Sequence, residues 1–113
     1  MQKQFRLRKN WDFQSIIDKK QSIANKFLVV YFVKSDSFKA GITIPKKFEN
    51  AVGRNYNKRQ LKAIIRELNI NEFNYNFVLI ARKEFCNSEY SVKKQGIKEL
   101  FEKFRNYAKK TNF

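Results

Sequence analysis

Histidine is absent from these 113 residues, and cysteine occurs once, at Cys86. Without imidazole there is no His-based general acid or base and no Ser-His or Cys-His nucleophile. The common zinc ligand sets, built from several Cys and His, are excluded as well. One cysteine cannot close an intramolecular disulfide. Cys86 follows Phe85 at the end of a strand-like run and reads as a small packed side chain. Proline occurs once and glycine three times, so no flexible linker divides the chain, and no repeat is visible. A single domain over residues 1–113 is expected. No apolar run approaches the roughly 18 to 20 residues that cross a bilayer. The basic opening from Met1 to Asn10 has no apolar stretch behind it, unlike a secretory signal, so a cytoplasmic protein with no membrane partner is expected. Acidic residues are scarce, and the ten present are dispersed and often beside a basic one. That speaks against a protein-only nuclease, which needs clustered carboxylates around its metal.

What is abundant is positive charge. Twenty-five Lys and Arg against ten Asp and Glu give a formal net charge of +15. Self-repulsion of that size destabilises a compact chain, and it points to a polyanionic partner. Hydrophobic residues make up 42%, enough for a folded core rather than a basic tail. Aromatics make up 16%, twelve of them Phe. Most should be core, and an exposed minority can stack on unpaired bases.

Along the chain, Asn10 can cap a first helix whose apolar stripe is Trp11, Phe13, Ile16 and Ile17. A short extended piece, residues 22–25, leads into a β-branched and aromatic strand over residues 26–33. Ser35-Asp36-Ser37 is a turn, and residues 38–44 read as the antiparallel neighbour of that strand, stopped by Pro45. A second helix spans about residues 50–68, ended by Asn69-Ile70-Asn71. Residues 77–82 form a central-looking strand. Asn87 or Ser88 can cap a final helix to about Ala108, with Ile97, Leu100, Phe101, Phe104 and Ala108 on one face. The order αβββαβα predicts an α/β (α+β) two-layer sandwich: a mostly antiparallel four-stranded sheet packed with helices.

The informative stretch is residues 44–68. On a helical wheel at about 100° per residue, Leu61, Ile64, Ile65 and Leu68 share one sector and can face the sheet. Asn55, Lys58, Arg59, Lys62 and Arg66 fill the neighbouring sector. Lys46 and Lys47 stand just upstream, near the free N–H groups of the helix start. Arg54, a cation in or near the first turn, opposes the helix dipole unless an anion binds beside it. Arg forks onto phosphate oxygens and Lys supplies a mobile point charge, so the stripe suits a nucleic-acid backbone. Only Glu49 and Glu67 flank the helix, and no acidic residue lies between them.

At this point the chain resembles the bacterial ribonuclease P protein family. That family carries an Asn-Ala-Val-x-Arg-Asn-x-x-Lys-Arg-x-x-Arg/Lys block after two lysines. This chain has Lys46-Lys47, then Asn50-Ala51-Val52-Gly53-Arg54-Asn55-Tyr56-Asn57-Lys58-Arg59-Gln60-Leu61-Lys62. The family's further basic residue after the Arg-Asn pair is Tyr56 here. The opening Arg6-Leu7-Arg8-Lys9-Asn10-x-Asp12-Phe13, the Ala24-Asn25 pair, Gly41 and Ile80-Ala81-Arg82-Lys83 match in the same order.

The resemblance implies a protein subunit without catalytic residues, serving an RNA-based endoribonuclease. Its partners would be a catalytic RNA that holds the Mg2+ and the precursor tRNA whose 5′ leader is removed, with no DNA partner. It implies a left-handed crossover around the basic helix, and contact of Arg54, Asn55, Lys58, Arg59 and Lys62 with the catalytic RNA. It also implies a leader cleft between the first helix and the sheet, at positions Phe13, Ile17 and Tyr31; relatives usually have an aromatic residue at the place of Ile17. The chief alternative is a structural ribosomal protein bound to rRNA. A helix-turn-helix DNA reader is disfavoured, because strands separate every helix pair.

Overall fold

The structure, a computed structural model, describes residues 10–45 and 51–112. Helix α1 (Asn10–Asp18) is followed by strands β1 (Ser22–Ala24), β2 (Leu28–Lys34) and β3 (Lys39–Thr43). Helix α2 (Ala51–Leu68), a 3-10 turn (Ile70–Glu72) and strand β4 (Tyr75–Ala81) come next, then helices α3 (Lys83–Asn87) and α4 (Tyr90–Asn112). Asn69 ends α2 in the left-handed region, φ 54°, a conformation Asn tolerates better than most residues.

The sheet order is β1-β2-β4-β3, with β1–β2 and β2–β4 antiparallel and β3–β4 parallel. This corrects one expectation. β3 runs opposite to β2 but is not its neighbour, because β4 lies between them. The reason is burial. Phe77, Val78 and Leu79 are buried on alternate faces of β4, so this strand must be covered by strands on both edges and helices on both faces. Ser35 to Phe38 then crosses one strand instead of making a hairpin. A second correction concerns residues 83–87, which form the short helix α3 and not the end of a strand, so Cys86 is half-buried on a helix.

Side chains alternate across the sheet. Leu28, Val30, Phe32, Ala40, Phe77, Leu79 and Ala81 face the main core, where they meet Leu61, Ile64 and Ile65 of α2. α4 contributes Ile97, Leu100, Phe101, Phe104 and Ala108 to the same core, as its spacing predicts. Phe104 is the hub of the aromatics, with ring centroids 5.0–5.2 Å from Phe32, Phe73, Tyr75 and Phe77. Seven of the nine described Phe side chains are buried, so the aromatic richness is spent mainly on the core. Gly96 explains itself here: a methyl group on it would stand 2.2 Å from the buried Phe27 ring. Asn25 fixes that approach. Its Nδ2 donates to the Gly96 carbonyl at 2.9 Å, and its Oδ1 accepts from the amides of Phe27 and Leu28 at 2.9 and 3.1 Å.

Helix α1 lies on the opposite face, against β2 and β4. Ile16 and Val78 are buried there, away from the main core. A methyl group on Gly41 would come within 2.2 Å of the Phe13 ring, so the absence of a side chain lets Phe13 rest on the β3 backbone. The rest of this face is left partly open.

Candidate nucleic-acid interface

Two surfaces gather the residues singled out in the sequence. The first is the outer side of α2. Leu61, Ile64 and Ile65 are buried and Leu68 half-buried against the sheet, as the wheel requires. Asn55, Arg59 and Arg66 are exposed, while Arg54, Lys58 and Lys62 are half-buried. Among the described residues none of these cations has an ion-pair partner, and the two ion pairs present are Lys94–Glu67 and Arg105–Glu72. Arg54 Nε is covered and meets no acceptor among the described residues. A covered donor without a partner is costly. Lys46 and Lys47 lie outside the described residues.

The position of α2 is fixed by a contact that the charge pattern alone does not reveal. Among the described residues Asn57 and Lys93 are the buried polar ones, 3% and 2% exposed. Lys93 Nζ donates to Asn57 Oδ1 at 3.3 Å and to the Phe85 carbonyl at 3.0 Å, and lies 4.3 Å from the centroid of the Phe85 ring. Asn57 Nδ2 in turn donates to the Gly53 carbonyl at 2.9 Å. One ammonium therefore ties α2 to α3 and α4. Both residues could have been found from spacing: Asn57 falls inside the apolar sector of α2, and Lys93 precedes Ile97 by one turn on the apolar stripe of α4.

The second surface is the open sheet face beside α1. Gly41, Val78, Tyr31 and Ser22 are register partners in one row across the four strands, so they point to the same side. Phe13 rests on Gly41 at one end of the row, and Tyr31 stands two strands away, about 10 Å along it. Phe13, Ile17 and Tyr31 are all half-buried. Phe13 and Ile17 are one helical turn apart, so the three side chains can border a shallow trough floored by the sheet. Val29 and Val33 on β2 and Ile80 on β4 add half-buried apolar surface to that floor. Asn76, paired with Val33, presents there a covered Oδ1 with no donor among the described residues.

Among the described residues no three His, Cys, Asp or Glu side chains come together to hold a metal ion. No helix there is long and apolar enough to cross a membrane.

Comparison with known proteins converges on one family. The family described as Ribonuclease P matches residues 1–105. The chain is 47% identical over 110 residues to the ribonuclease P protein component of Mycoplasmopsis synoviae (strain 53), covering 97% of this chain and 98% of that protein. It is 40% identical over 111 residues to the component of Mycoplasmopsis pulmonis, covering 97% and 100%. The RNase P protein of Staphylococcus aureus superposes with a TM-score of 0.79 at 30% identity, over 87% of this chain and 93% of that one. That of Thermotoga maritima gives 0.72 at 30% identity, over 84% and 93%. With its parallel β3–β4 pair joined by a cationic helix and this breadth of similarity, the chain belongs to the ribonuclease P protein family.

Proposed function

We propose that this chain is the RNA-binding protein subunit of ribonuclease P, working in the cytoplasm with the ribonuclease P RNA on precursor tRNA. The observation that carries the reading is the α2 stripe, whose five cations have no ionic partner among the described residues. In this reading Arg54, Asn55, Lys58, Arg59, Lys62 and Arg66, with Lys46 and Lys47 upstream, grip the catalytic RNA. The open face bordered by Phe13, Ile17 and Tyr31 takes the single-stranded 5′ leader, whose bases can stack on the two rings for about 1–3 kcal/mol each. Bond breaking belongs to the RNA with its Mg2+. The protein contributes binding: cations lower the repulsion between two polyanions, and leader contacts raise substrate affinity.

Reconstitution tests this division of labour. The protein alone should leave precursor tRNA intact. Added to a ribonuclease P RNA, it should restore cleavage at low Mg2+, and affinity should rise for substrates with a leader of several nucleotides but not for mature tRNA. Equal stimulation of both substrates would remove the leader assignment. No stimulation of either would favour the rRNA-bound alternative.

A further inference from the structure

The resemblance puts a basic residue where this chain has Tyr56, an aromatic ring without charge. Tyr56 is 58% exposed, the most exposed large hydrophobic side chain among the described residues. On the wheel it borders the cationic stripe, one turn before Arg59 and one turn after Gly53, which has no side chain to lie over the ring. Its ring is nevertheless held. Gln60 Nε2 reaches back one turn and donates to the Tyr56 hydroxyl at 2.9 Å, the direction in which helical side chains lean. A hydroxyl that accepts this bond keeps its own proton to donate outward.

A ring packed for stability would be covered, and a ring that merely tolerates solvent need not be fixed by a neighbouring amide. We propose that Tyr56 is a specificity-determining residue of the RNA-binding face, stacking on an unpaired base of the ribonuclease P RNA while Arg59 beside it takes the adjoining phosphate. The site selects single-stranded or looped RNA over continuous duplex, because paired bases hide their faces. This rests on the reading that α2 is the RNA-binding face. It changes what one position of that face reads, from phosphate charge to base surface.

Two probes separate the possibilities: the ribonuclease P RNA transcript, and a blunt, fully paired RNA duplex. Tyr56→Ala should weaken transcript binding by about 5- to 150-fold with an unchanged salt slope, and leave duplex binding within about twofold. Tyr56→Phe, which keeps the ring but loses the Gln60 bond, should cost only a small part of that loss, whereas Tyr56→Leu, similar in apolar surface, should cost most of it. Tyr56→Arg should steepen the salt dependence by about 0.7–0.9 log units per log[salt] and favour both RNAs alike. Loss on the duplex equal to that on the transcript, or no loss on either, overturns the stacking assignment. If Arg54→Ala, Lys58→Ala and Arg59→Ala also leave transcript binding unchanged, the wider reading of α2 falls with it; if they weaken it, only the role of Tyr56 is lost.

Discussion

Helices α2 and α4 carry nearly the same excess of positive charge, yet only one has the form of an RNA-binding surface. α2 has five Lys and Arg and one Glu; α4 has seven and two. By count α4 would be the better candidate. The structure reverses that order. Lys93 of α4 is buried, Lys94 and Arg105 are paired with Glu67 and Glu72, and Glu99 and Glu102 stand among the remaining exposed cations. On α2 the cations share one side and meet no carboxylate among the described residues. Arrangement relative to acid, and not the number of lysines, distinguishes a surface that binds from one that is only solvated.

The sharpest way to break this comparison is to remove equal charge from each helix. Replacing Arg54, Lys58 and Arg59 together with Ala should flatten the salt dependence of RNA binding by about 2 to 3 log units per log[salt], at about 0.7–0.9 for each lost phosphate contact. Replacing Lys98, Lys103 and Lys109 of α4 removes the same formal charge and should change the slope by less than about one contact. Filter-binding titrations across a range of salt give both slopes. Equal slopes would mean that net charge alone drives association and that the α2 stripe has no special place.

That contrast was only half legible in the sequence. The stripe itself was readable, because 3.6-residue spacing assigns Leu61, Ile64 and Ile65 to one side and the cations to another without tertiary information. The engagement of α4 was not, since Lys94 meets a carboxylate 27 positions earlier and Arg105 one 33 positions earlier. The same limit applies to the sheet. Element order followed from local pattern, and β4 looked central from its unbroken apolar run. Its insertion between β2 and β3 is a long-range choice, settled by which strand most needs cover on every side. α3, five residues long, is too short to show a period. For the open face, Phe13 could be read as core or as platform. The geometry leaves it half-buried, because Gly41 lets the ring settle on the strand while part of it stays uncovered.

Within the same two helices, Lys93 sharpens the comparison from the inside. Lys93→Ala should destabilise the fold by about 2–4 kcal/mol, since it leaves the Asn57 Oδ1 and the Phe85 carbonyl without their donor and empties the space of a long stem. Urea unfolding measures the loss. The paired change Asn57→Leu with Lys93→Met should recover part of it, because removing both partners is less costly than stranding one. Under conditions where the variants stay folded, the salt slope for RNA should match the parent. Lys93 is buried and cannot meet a phosphate. A changed slope would show that this ammonium contributes to the interface and that α4 is less passive than its pairing suggests.

The smallest effect sits where the two helices meet at their surface. Glu67, the only carboxylate of α2, holds the Lys94 ammonium above its ordinary pKa of 10.5, first by the hydrogen bond and then by charge attraction. A pKa raised by folding gives stability that is fully present below the unfolded-state value and lost as the pH climbs through the folded-state one. Glu67→Gln should therefore lower the unfolding midpoint slightly near neutral pH, and the gap to the parent should close in strongly alkaline solution. Both side chains are about half exposed, so water screens the pair and the gap should be well below that for Lys93→Ala. The same change strips α2 of its one negative charge and releases a cation beside it, so RNA affinity at low salt should rise modestly. A rise would place bound RNA within reach of the α2–α4 seam, whereas its absence would confine the RNA to the flank that begins at Arg54.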